Sequence, residues 1–292
     1  SDAQEQHRRR YAKGLACSQS SRLVTLSCNH TAGRLSQILP DLSLKVLHVY
    51  RTYFPSTQGG LEETIRQICS TTRAHGIESR VLAPSTETSP PVITYDGVEV
   101  HRPRLDFEIA SCSVSGQAFG QFKHLLEWAD LIHYHFPWPF ADLLQLLQNR
   151  NGKPAVVTYH SDIVRQRWLG KLYFPLMNRY LKSVNRIVCT SPNYFATSDV
   201  LSRFEEKVEI IPIGINEDTY PVVEEEELES VRSKYGEGFF LFVGVLRYYK
   251  GLHILLDAIK EAPYKVIIVG SGPTEMELKK QATDLGLTNV LF

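Results

Sequence analysis

Lys45-Val46-Leu47-His48-Val49-Tyr50, then Tyr53-Phe54-Pro55-Ser56-Thr57-Gln58-Gly59-Gly60, then Leu61-Glu62-Glu63 is the stretch whose reading decides the fold. A short, Val- and Leu-bearing run ends in a loop with two glycines, and a helical pattern begins immediately. That order is the opening of a βαβ unit, and from Leu44 onward it repeats. Strands are predicted at 45–50, 79–83, 98–101, 130–134, 154–159, 186–190 and 207–211, with helices at about 61–75, 116–128, 139–149, 163–183 and 192–203. Near-continuous apolar strands separated by helices belong to a parallel sheet covered on both faces.

Pro212-Ile213-Gly214-Ile215-Asn216 to Pro221 breaks this pattern, and Glu224 to Glu227 open a helix whose N-terminus suits acidic side chains. We read 212–227 as a linker between a first domain at 44–211 and a partial second one at 228–292. The second series has strands at 239–243 and 264–269, helices near 250–261 and 274–286, and a strand beginning at Asn289. It is expected to stop in mid-domain. Residues 1–43, with Arg8-Arg9-Arg10 and no sustained period, read as a disordered extension, either upstream sequence or an expression remnant, with a real flexible arm as the alternative. Open parallel sheets bind ligands beyond the carboxyl ends of their strands, so a hinged pair predicts a site in the cleft between the domains.

Composition narrows the chemistry. Lys plus Arg equals Asp plus Glu at 32 each among 292 residues, so no global field draws in nucleic acid. The cysteines (Cys17, Cys28, Cys69, Cys112, Cys189) are odd in number and lack C-x-x-C spacing, which argues against a disulfide framework or zinc site and for a reducing cytosol. No apolar run reaches the roughly 20 residues that span a bilayer.

Several loops could carry chemistry. Gly59 and Gly60 before a helix allow close backbone approach to a phosphate, although paired glycines are also ordinary turn residues, and no Gly-Lys-Ser/Thr follows to make a Walker loop. Val156-Val157-Thr158-Tyr159-His160-Ser161-Asp162 delivers a histidine and an aspartate at a strand end; a buried structural histidine is the competing reading. His133 and His135 alternate with apolar residues and are assigned to packing or cleft lining. No histidine pair has the helix spacing of a metal site, so no metal ligand set is read. Phe240-Leu241-Phe242-Val243-Gly244-Val245-Leu246-Arg247-Tyr248-Tyr249-Lys250-Gly251 runs from a buried strand into a loop with two cations and a helix start, which suits a diphosphate. Val269-Gly270-Ser271-Gly272-Pro273 is a second close-approach loop. Glu275 stands where a dinucleotide fingerprint needs its third glycine, which disfavours an NAD enzyme and calls for no cofactor.

Taken in order, Gly59-Gly60, Tyr159-His160-Ser161-Asp162, Thr190-Ser191-Pro192, Ile211-Pro212-Ile213-Gly214, Phe242-Val243-Gly244 with Arg247 and Lys250-Gly251, and Val269-Gly270-Ser271-Gly272-Pro273 resemble the retaining group 1, glycogen-synthase-like glycosyltransferases. The bacterial lipopolysaccharide and O-antigen mannosyltransferases look most similar. The resemblance covers about residues 44–292 and implies an α/β fold of two facing Rossmann-like domains (GT-B type), the second incomplete. It implies that a hexose, mannose-like, moves with retention from a nucleoside diphosphate sugar to a glycan or lipid-linked acceptor. Gly59 and Gly60 would lie on the donor phosphate side, His160 would face the transferred sugar, and Ser161 and Asp162 would lie on the acceptor side. Arg247 and Lys250 would hold the diphosphate, with Gly244, Gly270 and Gly272 bordering the donor. Many relatives carry the arginine directly after the strand glycine; Val245 is there in this chain, and Arg247 stands in. Family members continue past the point where this chain ends, with two donor-binding glutamates and a final helix, so the resemblance implies that the 292-residue chain has little activity.

Arg165 to Lys182 mixes cations with aromatics, as membrane-surface helices do, and would suit a lipid-linked acceptor on the inner face of a membrane; an ordinary amphipathic helix with a solvated basic face is the competing reading. Two rival functions remain at this point. A sugar-nucleotide epimerase would need a second carboxylate beside Asp162, and a non-catalytic remnant would bind a nucleotide sugar or nothing.

Overall fold

The computed structural model describes residues 43–109, 112–149, 152–163 and 167–292, the last span without the side chains of 167–172. All but Ser43 of the expected N-terminal extension lies outside the described residues. The chain divides into two compact units between Asn216 and Glu217.

Unit 1 is built on an eight-stranded sheet. Its strands are β1 (Leu44–Val49), β2 (Ile77–Leu82), β3 (Val92–Tyr95), β4 (Val98–His101), β7 (Leu131–Phe136), β8 (Ala155–Tyr159), β9 (Arg186–Cys189) and β10 (Val208–Ile210). They lie in the order β10-β9-β8-β7-β1-β2-β4-β3, parallel except for the antiparallel edge pair β3–β4. A small hairpin of β5 (Phe107–Ile109) and β6 (Cys112–Val114) stands apart. The sheet runs outward one way from β1 through β2 and the other way from β1 through β7. The change of direction at β1/β7 is therefore its topological switch point, where open α/β sheets form their ligand crevice.

Side chains of alternate strand residues divide into two cores. On one face Tyr50, Val81, Val98 and Val100 pack with Ile65 and Cys69 of α1 (Gly60–Arg73). On the other, Leu47, Val49, Ile132, Tyr134, Val157 and Ile187 pack under α2 (Gly116–Trp128), α3 (Pro139–Gln148) and α4 (Arg167–Ser183). Ser115 caps α2 by accepting from the Ala118 amide. Tyr173 on α4 donates to Asp142 on α3, and burial raises the Asp142 carboxyl well above its ordinary value.

α4 bears on the expected membrane surface. In its described part Met177, Tyr180 and Leu181 are buried and Tyr173 and Phe174 pack on the core, while Pro175, Arg179 and Lys182 are exposed. Its aromatics there turn inward. No described helix is long and apolar enough to cross a membrane.

The helix expected over 192–203 is a correction. α5 (Pro192–Thr197) ends early and a 3-10 segment, Leu201–Lys207, follows. Ser198 breaks it: its hydroxyl donates to Asp162 and accepts from the Leu201 amide, an alternative to continued helix that serine readily offers.

Unit 2 carries α6 (Glu225–Tyr235), with Glu225, Glu226 and Glu227 in its first turn, then a parallel sheet in the order β11-β12-β13. Its strands are β11 (Phe240–Val243), β12 (Val266–Val269) and β13 (Val290–Leu291). α7 (Leu252–Ile259) follows β11 and α8 (Glu275–Asp284) follows β12. Leu246, Leu252, Leu256, Val266, Ile268 and Leu278 form its core.

Candidate functional site

Unit 1 places histidines at its switch point. His48 on β1 and His133 on β7 are register partners across the parallel pair, and His135 follows two residues on, so all three occupy the α1 face. His48 Nδ1 is 3.3 Å from His135 Nε2, and His135 Nδ1 is 3.3 Å from His160 Nε2. His133 Nε2 is 2.7 Å from Thr158 Oγ1. His160 itself follows β8 and is fixed by its amide, which donates to the Phe136 carbonyl. A chain of imidazoles thus runs from the buried sheet to the carboxyl edge where His160 emerges half-buried.

Burial disfavours the charged ring. It lowers His48 and His135 well below the ordinary value, helped by repulsion from neighbouring rings, and brings His133 and His160 to about 4. These rings are neutral at pH 7, so His160 can present a neutral imidazole to a ligand. The unfolded chain protonates below about 6.5 while the folded rings do not, so this contribution to stability is present above 6.5 and lost as pH falls toward 4. In chelator-containing buffer the urea midpoint should be level above pH 7 and drop below 6.5. A midpoint constant down to pH 5 would contradict the neutral cluster.

The remaining unit 1 candidates are arranged differently. Asp162 accepts from the Tyr159 hydroxyl at 2.9 Å and from Ser198 at 3.1 Å, which ties β8 to α5; these partners are hydroxyls, not the second carboxylate an epimerase would need. Ser161 is exposed. Gly59 precedes α1 in extended backbone, and the Glu62 carboxylate lies 2.7 Å from where a Gly59 Cβ would sit. Gly60 opens on free space.

In unit 2 the loops after β11 and β12 are zipped together by backbone. Gly244 N–H donates to Val269 O at 3.0 Å and Leu246 N–H to Ser271 O at 2.9 Å, while the Thr274 hydroxyl donates to Leu246 O at 2.8 Å. A Cβ on Gly270 would sit 2.0 Å from the Gly244 carbonyl oxygen, and one on Gly272 would sit 2.4 Å from that of Leu246. This close approach fixes where the loop from Gly244 to Gly251 rests, at the carboxyl edge where α7 and α8 begin. Arg247 is exposed there and lines a cavity of about 210 Å³ with His253, Thr274, Glu277 and Gln281. Lys250, also exposed, ends the 3-10 turn Tyr248–Lys250 and lies outside the cavity lining, its ammonium 5.5 Å from the centroid of the Tyr249 ring. Among the described residues neither cation is paired with a carboxylate.

Two unpaired cations at helix starts on a carboxyl edge can hold an anion. Residues 58–219 match Glycosyltransferase Family 4 and residues 223–292 match Glycosyl transferases group 1. The chain belongs to the family 4 and group 1 glycosyltransferases. It is 53% identical over 249 residues to the D-rhamnosyltransferase WbpZ of Pseudomonas aeruginosa, across 85% of this chain and 65% of that protein. It is 44% identical over 251 residues to the O-antigen chain mannosyltransferase C of Escherichia coli, across 85% and 67%. The chain thus spans about two thirds of the length of these relatives. Among solved structures, sucrose-phosphate synthase from Thermosynechococcus elongatus superposes with a TM-score of 0.62 at 16% identity, covering 85% of this chain and 70% of that one. Anabaena HepE, in complex with UDP and glucose, gives 0.61 at 19% identity, covering 85% and 68%. These likenesses establish the GT-B architecture of this family member.

Thr158 and His48 escaped the sequence reading. Alternation marks His133 and His135 along one strand, but their pairing with His48 depends on a register between segments 85 residues apart, from His48 to His133.

Proposed function

We propose that this family member transfers a mannose-like hexose from a nucleoside diphosphate sugar to a glycan or lipid-linked acceptor with retention of anomeric configuration. The observation that carries it is the zipped pair of loops in unit 2, which presents Arg247 and Lys250 without carboxylate partners beside two helix starts. Cations and helix N-termini beside a departing diphosphate stabilise the charge that develops as the glycosidic bond breaks. The neutral His160 imidazole hydrogen-bonds a hydroxyl of the transferred sugar, and positioning supplies much of the remainder. The rhamnosyl- and mannosyltransferase names of the two relatives support a sugar of the manno series. Gly244, Gly270 and Gly272 keep the loops close enough for the donor to reach backbone, Gly60 opens on free space, and Gly59 and Gly60 are assigned to the phosphate side.

Nuclear magnetic resonance of the glycoside formed from nucleoside diphosphate mannose or rhamnose and an oligosaccharide acceptor tests the reading. The expected product keeps the donor's anomeric configuration. An inverted product, or epimerised donor in the absence of acceptor, would overturn it.

A further inference from the structure

We propose that His48, His133 and His135 form a binding site for a divalent transition metal ion of the zinc class. One ring nitrogen from each lies within 4.8 Å of the other two. Two histidines at alternate positions of one strand and a third at the register position of its neighbour put three imidazoles on one face without any loop to order. The 3.3 Å between His48 Nδ1 and His135 Nε2 is close to the separation of two nitrogens on a tetrahedral ion, about 3.3–3.4 Å for bonds of about 2.0–2.1 Å. His133 must swing its free nitrogen inward to complete a three-histidine set with one position open, as catalytic zinc sites have.

The surroundings offer His133 and His135 partners that match the tautomers such binding needs. With its proton on Nε2, His133 donates to Thr158 Oγ1 and keeps Nδ1 for the ion. With its proton on Nδ1, His135 donates to His160 Nε2 and keeps Nε2 for the ion. Outer hydrogen bonds of this kind orient metal-bound imidazoles and strengthen them as ligands. The set is all nitrogen, with no carboxylate, which suits zinc, cobalt, nickel or copper and not magnesium or calcium. His48 and His135 are buried, and half-buried His133 provides the way in. A filled site also fixes His160, which then accepts at Nε2 and carries its proton on Nδ1.

The test is a titration of the chelator-stripped 292-residue chain with Co²⁺, followed by the visible bands of tetrahedral cobalt. One equivalent should bind saturably, and Zn²⁺ should displace it. His133→Ala should lose the tight phase, and Thr158→Val, which keeps every ligand, should weaken binding about 10–100-fold. The melting temperature in chelator tells a lost site from a lost fold, and Zn²⁺ should raise it in the parent chain but not in His133→Ala. No saturable cobalt spectrum, or one that persists unchanged in both variants, would overturn the proposal.

Discussion

Gly272→Ala is expected to remove a large share of the stability of unit 2 while leaving unit 1 folded. The added methyl would sit 2.4 Å from the Leu246 carbonyl oxygen and 2.7 Å from its nitrogen, both backbone atoms that cannot turn aside. Moving them breaks the Leu246–Ser271 and Thr274–Leu246 hydrogen bonds that zip the two loops. Overpacking and lost hydrogen bonds together cost about 3 kcal/mol or more. A unit of this size has only about 4–11 kcal/mol in total. Its melting transition should fall by about 12 °C or more. Gly270→Ala should do the same, because its Cβ meets the Gly244 carbonyl at 2.0 Å and its φ of +142° disfavours any side chain. Gly60→Ala is the control: nothing lies within 4 Å, the position is the first of α1, and stability should stay level or rise slightly. Calorimetry that finds Gly272→Ala as stable as Gly60→Ala would contradict the close approach.

Arg247→Ala and Lys250→Ala are expected to lower kcat/KM for transfer by about 10²–10³ each, the loss typical of one donor withdrawn from a developing negative charge. Arg247 should show the larger effect, because it lines the cavity beside Thr274 and offers a fork that binds two phosphate oxygens at once, whereas Lys250 is a single flexible charge. Both side chains are exposed and unpaired, so neither change should disturb folding, and the circular dichroism and melting of the variants should match the parent. Rates within threefold of the parent for both would remove the diphosphate role.

How far these features were legible in the sequence depended on the length of the element and the reach of the contact. β7, β8 and β12 are apolar runs that end at proline, histidine or glycine, and their presence follows from composition and spacing, as does that of β1. β3 and the β5–β6 hairpin did not follow, since each strand has only three or four residues and largely half-exposed or exposed side chains. The kink after α5 could not be read either, because the Ser198 hydroxyl that causes it is bonded to Asp162, 36 residues away. The same limit governs the sites. Arg247, Lys250 and the glycines around them lie in continuous segments and carry their own signature. The histidine cluster is assembled by strand register. Helix spacing does not reveal it, since the relevant repeat is the two-residue period of a strand combined with a cross-strand partner.

The loss of donor binding when the unit 2 cations are removed tests the central claim most directly. Isothermal titration of the 292-residue chain with a panel of nucleoside diphosphate sugars should show saturable binding to one site for at least one donor of the manno series. Arg247→Ala and Lys250→Ala should each weaken that binding tenfold or more with no change in melting temperature. Absence of binding across the panel, or binding that survives both substitutions undiminished, would contradict the assignment of this edge as the donor diphosphate site.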